Sequence, residues 1–477
     1  MAFTDIIKSA ASVLPEIPKP TKKPSLTEKF VWTAIALVIF LIMSEVPLYG
    51  VSIAGNLQNT ASILRTIFAS TQGSLMELGI GPIVTAGLIS QLLVGSELIR
   101  LDFSKPEDRS AFTAFNKVFT VAFIIAEAIL YTLSGYLRGP NGAQLSALTS
   151  LIVIIQLVAA SMVVFMLDQM IQRGWGFGSG ISLFIMAGVA QRFMLDLFSP
   201  IAQTSIGYFG IVPFAINATV TKTIPTIVYR GGLAPDLIGL VATIAIMLFI
   251  IYLEGVRIEV PISSQKYKGF SGVYPIKLLY VSNIPVILVG ALIANLQFFS
   301  LLLQSRLATA GTNPWINLFA TYTNQGGQQV LTGGILYYLV TPNSLGQAAH
   351  EPLQTVTSIL FMVLFSVLFA KLWVELGGMS PEKAAKSLLD AQVSVPGFRS
   401  TTASLGLVLA KYIPSVTVIG GLLVGLIAGV SSIFGVYGGS GIGLLLMIDI
   451  ILQYYQTLIK EQVDELMPRL GGLIGSS

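Results

Sequence analysis

The sequence predicts an all-α polytopic membrane protein with ten transmembrane helices in two inverted five-helix halves. Three observations carry this. Ten long apolar runs, broken by short charged loops, fill the chain from Phe30 to Ile459, and a spanning helix needs ~20 mostly apolar residues. Of 477 residues, 54% are hydrophobic and 10% charged, more oil than a water-soluble globule can hide. Lys and Arg are also unevenly shared. With the N-terminus in the cytosol, 21 of 27 fall in cytosolic segments, and Arg65, Arg138, Arg192, Lys222, Arg230 and Arg306 fall outside. This is the positive-inside bias of ten spans with both ends cytosolic. The net charge of +4 is thus a topology signal rather than a sign of nucleic-acid binding.

The spans are expected at about residues 30–50, 75–98, 113–135, 146–171, 179–198, 235–254, 276–303, 353–376, 405–432 and 440–460. Residues 1–29 form a cytosolic N-terminal segment. Its amphipathic start, Phe3 to Ile7, is expected either on the membrane surface or as a frayed tail, and a Pro/Lys stretch from Pro15 to Pro24 follows. No cleavable leader is visible, so the first run reads as a signal-anchor. Residues 30–198 make the N-terminal half, 199–234 an external hinge loop, 235–460 the C-terminal half and 461–477 a cytosolic tail. Asn56 to Ser74, between the first two spans, is too short and too polar to cross. The outer stretches Gly207 to Arg230 and Pro314 to Val340 mix apolar and β-prone residues. They are expected to be structured outer loops or re-entrant pieces, since non-helical backbone at membrane depth survives only inside protein or beside water.

Gly178-Ser179-Gly180-Ile181 opens the fifth span and Gly439-Ser440-Gly441-Ile442 the tenth. Each is the last of five, and they start on opposite sides. Inverted repeats have that polarity and often place a pathway at their interface.

Little chemistry is available. Cys is absent, which excludes disulfides, zinc–thiolate sites and thiol nucleophiles, and the one His, His350, lies in a loop. Glu127, Asp168 and Asp449 lie within expected spans with no basic partner at matching depth, a poor set for a proton relay or sodium site. No phosphate loop, zinc motif, Ser–Lys pair or paired-Asp motif occurs. No enzyme, metal or cofactor is expected.

Five segments carry a resemblance. Glu77-Leu78-Gly79-Ile80-Gly81-Pro82-Ile83-Val84-Thr85-Ala86-Gly87 resembles the second-span signature of the SecY family, the large subunit of the protein-conducting channel. Asp168-Gln169-Met170-Ile171 with Gly176-Phe177-Gly178-Ser179-Gly180-Ile181-Ser182-Leu183-Phe184-Ile185 resembles its fourth-to-fifth-span signature. Tyr274 to Pro285 is similar to the seventh span, Tyr412-Ile413-Pro414 to the ninth and Gln453-Tyr454-Tyr455 to the tenth. The wording, Ser282-Asn283-Ile284-Pro285 above all, is nearer to archaeal and eukaryotic members than to bacterial ones.

The resemblance implies a clamshell of two halves around an hourglass pore. Unfolded polypeptide crosses through it, and hydrophobic segments leave sideways into lipid. It implies a constriction ring at Ile80, Val84, Ile181, Ile185, Ile287 and Leu446. The pairs Ile80/Val84 and Ile181/Ile185 have i,i+4 spacing, so each pair faces one way. Branched alkyl groups suit the task, because they bond to no particular peptide and shed water when the pore is empty. The family's plug falls on residues 56–74, with Leu57, Thr60, Ile63, Leu64 and Ile67 on its helix. A polar lateral-gate cluster falls on Thr85, Glu127 and Asn295, with Glu where the family usually carries Gln. Ribosome-binding arginines fall on Arg257 and Arg399.

Implied partners are a SecE/gamma-type subunit, a small beta-type subunit, the ribosome, nascent and signal-sequence-bearing polypeptides, and membrane lipid. The implied location is the cell membrane of an archaeon, with the endoplasmic reticulum as the alternative. An inverted-repeat secondary transporter is the competing reading. It would bind a small solute at mid-membrane through charged groups, and paired charges are missing there.

Overall fold

Helix ends in this chain are set by local chemistry. In the computed structural model residues 9–474 are described, except 23, 52–67, 96–97, 100–104, 134–136, 138, 140–142, 204–206, 224, 231–233, 265–270, 282–283, 308–313, 326–327, 391–392 and 396–400. Helix α1 (Leu26–Glu45) starts at Ser25. The Ser25 hydroxyl accepts from the Glu28 N–H, and the Glu28 carboxylate accepts from the Ser25 N–H at 2.8 Å. This reciprocal box satisfies donors that a helix start otherwise leaves bare. Val31, Ile35, Val38 and Ile42 are exposed, while Ala36, Phe40 and Met43 are buried. An exposed alkyl stripe at helical spacing is a face built for lipid.

The chain continues through α2 (Gly81–Gly95), α3 (Pro106–Leu133), α4 (Ala147–Met170), α5 (Gly180–Phe198), α6 (Leu237–Gly255), α7 (Ile284–Leu307), α8 (Pro352–Leu376), α9 (Thr402–Ile433) and α10 (Gly441–Ile474). Among the described residues, nine helices are long and apolar enough to cross a membrane. The expected span 75–98 gives instead a 15-residue helix, α2. Residues ahead of it are spent on a turn: the Ile80 N–H donates to the Phe68 carbonyl at 2.7 Å, and Pro47 bridges Ser74. The seventh helix also starts later than expected, at Ile284, because Ser271–Lys277 is a strand. The last helix runs on to Ile474, so most of the expected tail is helical.

The N-terminal segment is held by its own carbonyls. Lys117 Nζ on α3 donates to the carbonyls of Ala11 and Leu14, each at 3.2 Å. Arg173 donates to Ile17 at 2.6 Å and pairs with Glu16, and the Trp175 indole donates to Pro18 at 2.9 Å. Both residues sit in the π-helical turn Ile171–Trp175 that ends α4. The amphipathic start, Phe3 to Ile7, lies outside the described residues.

The chain forms two compact units. The first comprises Met1–Met194, Ala294–Leu336 and Leu446–Ser477; the second comprises Leu195–Ile293 and Tyr337–Leu445. The second part of α7 and most of α10 thus group with residues of the expected N-terminal half. Specific bonds account for this. Asn295 accepts from Thr85, Tyr454 donates to the Ser179 carbonyl, and Lys29 pairs with Glu461 at 2.6 Å.

In the second unit α8 and α9 pack through small residues. A Cβ added to Gly421 would lie 3.0 Å from Val367 Cα, one on Gly425 2.8 Å from Val363 Cα, and one on Gly429 3.3 Å from Ile359 Cγ1. The four-residue spacing puts these glycines on one face, and lipid-embedded helices associate through such close approach. The same unit holds a three-stranded sheet, with β1 (Arg257–Ser264) between β2 (Ser271–Lys277) and β3 (Val393–Ser394). The amphipathic helix Pro381–Asp390 buries Ala384, Ala385 and Leu388 in a core with Val260, Ile276, Leu405 and Leu409.

The outer stretches are structured loops. Gly207 to Arg230 holds helix Ile211–Val220 and a helical turn at Pro225–Val228 where β-prone residues stand. The buried Arg230 guanidinium donates to the carbonyls of Tyr208, Phe209 and Pro235 at 2.6–3.0 Å and lies 3.8 Å from the Phe214 ring centroid. Tyr437 donates to the Asp236 carbonyl at 2.8 Å. Burial, then the neighbouring carboxylates of Asp196 and Asp236, push its phenol pKa up, so it stays a donor. Pro314 to Val340 holds helix Pro314–Phe319 and an antiparallel hairpin pairing Thr321–Gln325 with Gln328–Gly333.

Candidate functional site

Helices α2, α3 and α7 each carry one polar side chain into an apolar stretch, and the first unit brings the three together. Thr85 Oγ1 donates to Asn295 Oδ1 at 3.2 Å. The same hydroxyl faces the Glu127 carboxyl. Thr85 and Glu127 are 1% and 6% exposed. Leaving such groups unpartnered costs about 1–3 kcal/mol each, so partners are obligatory here. A glutamine amide at position 127 would offer the Thr85 hydroxyl a polar partner of the same length.

Two contacts beside this chain escaped the sequence reading. Ser90 on α2 donates to Asn116 Oδ1 on α3 at 3.2 Å, and Tyr131 on α3 stacks on Phe298 of α7 with centroids 4.4 Å apart. A signal existed for the second. Tyr131 and Phe298 follow Glu127 and Asn295 by four and three residues, one turn along the same faces.

Of the six ring candidates, Ile80, Ile185 and Leu446 are fully buried, Val84 is buried, and Ile181 and Ile287 are half-buried. Ile287 belongs to the second unit and the other five to the first. The plug candidates Leu57, Thr60, Ile63, Leu64 and Ile67 lie outside the described residues. The described end of that segment, Phe68 and Ala69, is buried. A Cβ on Gly81 would meet the Phe68 ring at 3.1 Å, and one on Gly188 of α5 would meet Ala69 Cβ at 3.2 Å. Residue 69 therefore rests on the helix that carries Ile181 and Ile185.

Arg257 opens β1 opposite Lys277 and pairs with Glu259 at 3.1 Å, with both side chains about half exposed. Such a pair contributes about 0–1 kcal/mol, so a stronger anion can displace Glu259. Arg399 lies outside the described residues. Of the other carboxylates in expected spans, Asp449 accepts from Gln453 Nε2 at 2.9 Å and Asp168 from Gln172 Nε2 at 2.8 Å.

Comparison with known proteins agrees in extent and order. The SecY family profile matches residues 74–455, and that of the plug domain of Sec61p matches 38–73. The protein translocase subunit SecY of Pyrococcus horikoshii is 38% identical over 98% of this chain and 99% of its own length. The Sec61 alpha subunit of Dictyostelium discoideum, a protein transport protein, is 38% identical over 99% of each. Among solved structures, a protein-conducting channel superposes with a TM-score of 0.79 at 34% identity, over 96% of this chain and 98% of that one. Sec61 in the canine ribosome–channel complex from the endoplasmic reticulum gives 0.77 at 34% identity, over the same shares.

Proposed function

The chain belongs to the SecY family, and we infer that it is the pore-forming subunit of a protein translocase. It passes unfolded polypeptides across the membrane and releases hydrophobic segments laterally into lipid. The match over nearly the whole chain to translocase subunits carries this reading. Within it, each singled-out side chain takes a role. Ile80, Val84, Ile181, Ile185, Ile287 and Leu446 form the constriction. Alkyl groups there fit any peptide and exclude water between passages. Residues 56–74 plug the empty pore.

The chain Glu127–Thr85–Asn295 holds the lateral gate shut. It spans α3, α2 and α7, so moving α2 and α3 away from α7 must break it. A passing apolar segment then competes against a few hydrogen bonds, each worth about 0.5–1.5 kcal/mol net. That modest strength suits a gate set by segment hydrophobicity. Arg257 and Arg399 bind ribosomal RNA phosphate, for which the planar guanidinium fork is suited. No step in this work is catalytic, and the ribosome or another motor supplies the drive. The partners are a SecE/gamma-type subunit, a small beta-type subunit and the ribosome. The membrane is the cell membrane of an archaeon, with both termini cytosolic; the endoplasmic reticulum is the alternative.

The test is crosslinking of a stalled nascent chain to probes placed along α2 and α7. Crosslinks should appear at both helices and shift toward lipid as the chain's apolar segment lengthens. Absence of crosslinks in ribosome-engaged, translocating complexes would overturn the reading.

A further inference from the structure

Asp168 is buried and has no part in the pathway described so far, yet it grips a ring residue directly. Its Oδ1 accepts from the Ile181 N–H at 2.9 Å. Its Oδ2 accepts from Gln172 Nε2 at 2.8 Å. The first turn of α5, which leaves N–H groups bare, thus ends on a side chain from α4. Nothing larger than glycine fits between them. A Cβ on Gly180 would lie 2.6 Å from Asp168 Cα.

A second clamp reaches the same turn from the last helix. Tyr454 donates from its hydroxyl to the Ser179 carbonyl at 3.0 Å. The hydroxyl end of its ring packs against Gly178, where an added Cβ would stand 3.3 Å from Tyr454 Cζ. Gly178 has φ +64°, which favours glycine there as well. Tyr454 is two helical turns beyond Leu446 on α10, and Ile185 is one turn beyond Ile181 on α5. One half-buried latch, anchored on the buried Asp168, therefore joins the helices that carry Ile181, Ile185 and Leu446, all within the first unit.

We propose that Asp168 and Tyr454 are positioning residues for the constriction: they fix the axial height and rotation of Ile181, Ile185 and Leu446, and so set the closed pore's seal. This rests on the ring reading above. It explains the spacing of the Gly178-Ser179-Gly180-Ile181 motif by what each residue does. Gly178 admits the tyrosine ring, Ser179 offers its carbonyl, Gly180 admits the aspartate, and Ile181 gives its N–H.

The experiment uses the full channel with its accompanying subunits, reconstituted into planar bilayers, and reads resting conductance. A parallel assay measures translocation of a substrate with a defective signal sequence. Asp168→Ala and Tyr454→Phe should each raise resting conductance about threefold or more, the population shift from losing one hydrogen bond of ordinary strength. Both should also admit the defective substrate. Asp168→Asn keeps an oxygen for the Ile181 N–H and should stay near the native level. Gly425→Ala, which crowds α8 against α9 far along the chain, controls for simple destabilisation and should not raise conductance. Ile185→Asn controls for the ring itself.

A leak with Ile185→Asn but native tightness with both Asp168→Ala and Tyr454→Phe would sink the latch and leave the ring standing. Native tightness in all three would sink the ring and the latch with it. Equal leak from Asp168→Asn and Asp168→Ala, or leak from Gly425→Ala, would reduce the latch to ordinary packing. If Asp168→Ala does not yield folded channel, Tyr454→Phe decides, since it removes a single hydroxyl.

Discussion

A carboxyl stands at Glu127 where an amide would do the same bonding, and the substitution series follows from that. Glu127→Gln keeps a polar partner for the Thr85 hydroxyl and should behave as the native channel. Glu127→Leu removes the bond and makes the gate more apolar. It should shift the hydrophobicity threshold at which Leu/Ala test segments enter lipid, by an amount equivalent to about 0.5–1.5 kcal/mol. Superimposable insertion curves for native, Gln and Leu channels would remove Glu127 from the gate. The ring is tested at the same scale. Ile80→Asn, Ile185→Asn and Ile287→Asn should each raise ion leak, because an amide wets the constriction that alkyl groups keep dry. Wild-type conductance in all three would show these residues to be plain core. Neither set was legible from spacing alone. Residues 85, 127 and 295 share no local pattern, and an isoleucine pair at i,i+4 is equally at home in any helix core. Family resemblance placed them, and packing decided that the three polar groups touch.

At the scale of elements, the glycine stripe of α9 sets how closely α8 can approach. Gly425 tolerates least, because its added Cβ would meet backbone, Val363 Cα, at 2.8 Å. Gly425→Ala should cost about 1–3 kcal/mol, the usual range for overpacking a filled contact. Gly429→Ala meets a side-chain atom of Ile359 at 3.3 Å and should cost less. Thermal unfolding in detergent measures both, and equal melting temperatures for the two variants and the native protein would disprove close packing at this face. The stripe itself is readable, since residues 421, 425 and 429 repeat every four. Its partner helix is not. The shortened α2 shows a different limit. Hydropathy counts apolar residues, and residues 75–80 are apolar enough, but the backbone there is spent on a turn closed by Phe68.

For the molecule as a whole, two predictions concern assembly. Arg257→Glu and Arg399→Glu should each weaken ribosome binding, and the double change should do so severely. Each lost phosphate contact should also flatten the salt dependence of log affinity by about one unit of slope. Sedimentation with ribosomes across a salt series checks this, and unchanged affinity and slope in the double variant would leave these arginines as topology markers. The second concerns the clamp that a laterally opening channel needs. The chain should purify poorly without its SecE/gamma-type partner, and monodisperse, translocation-competent protein expressed alone would refute that.

Composition and periodicity by themselves determined the solvent, the order and approximate place of the nine long apolar helices among the described residues, and the absence of thiol chemistry. These are local or additive properties, and a bilayer enforces them segment by segment because every backbone polar group must be satisfied within the span. Tertiary structure alone decided what the buried polar groups do. Asp168 reads in the sequence as a stray carboxylate near the end of a span, and its partner, the N–H of Ile181, is fixed only when α4 turns back through the π-helical turn into α5. Tyr454 meets Gly178 and Ser179 across more than 270 residues of chain. The grouping of residues 294–336 and 446–477 with the first unit has the same cause. Hydrogen bonds and close contacts join surfaces, and which surfaces meet is a property of the packed chain.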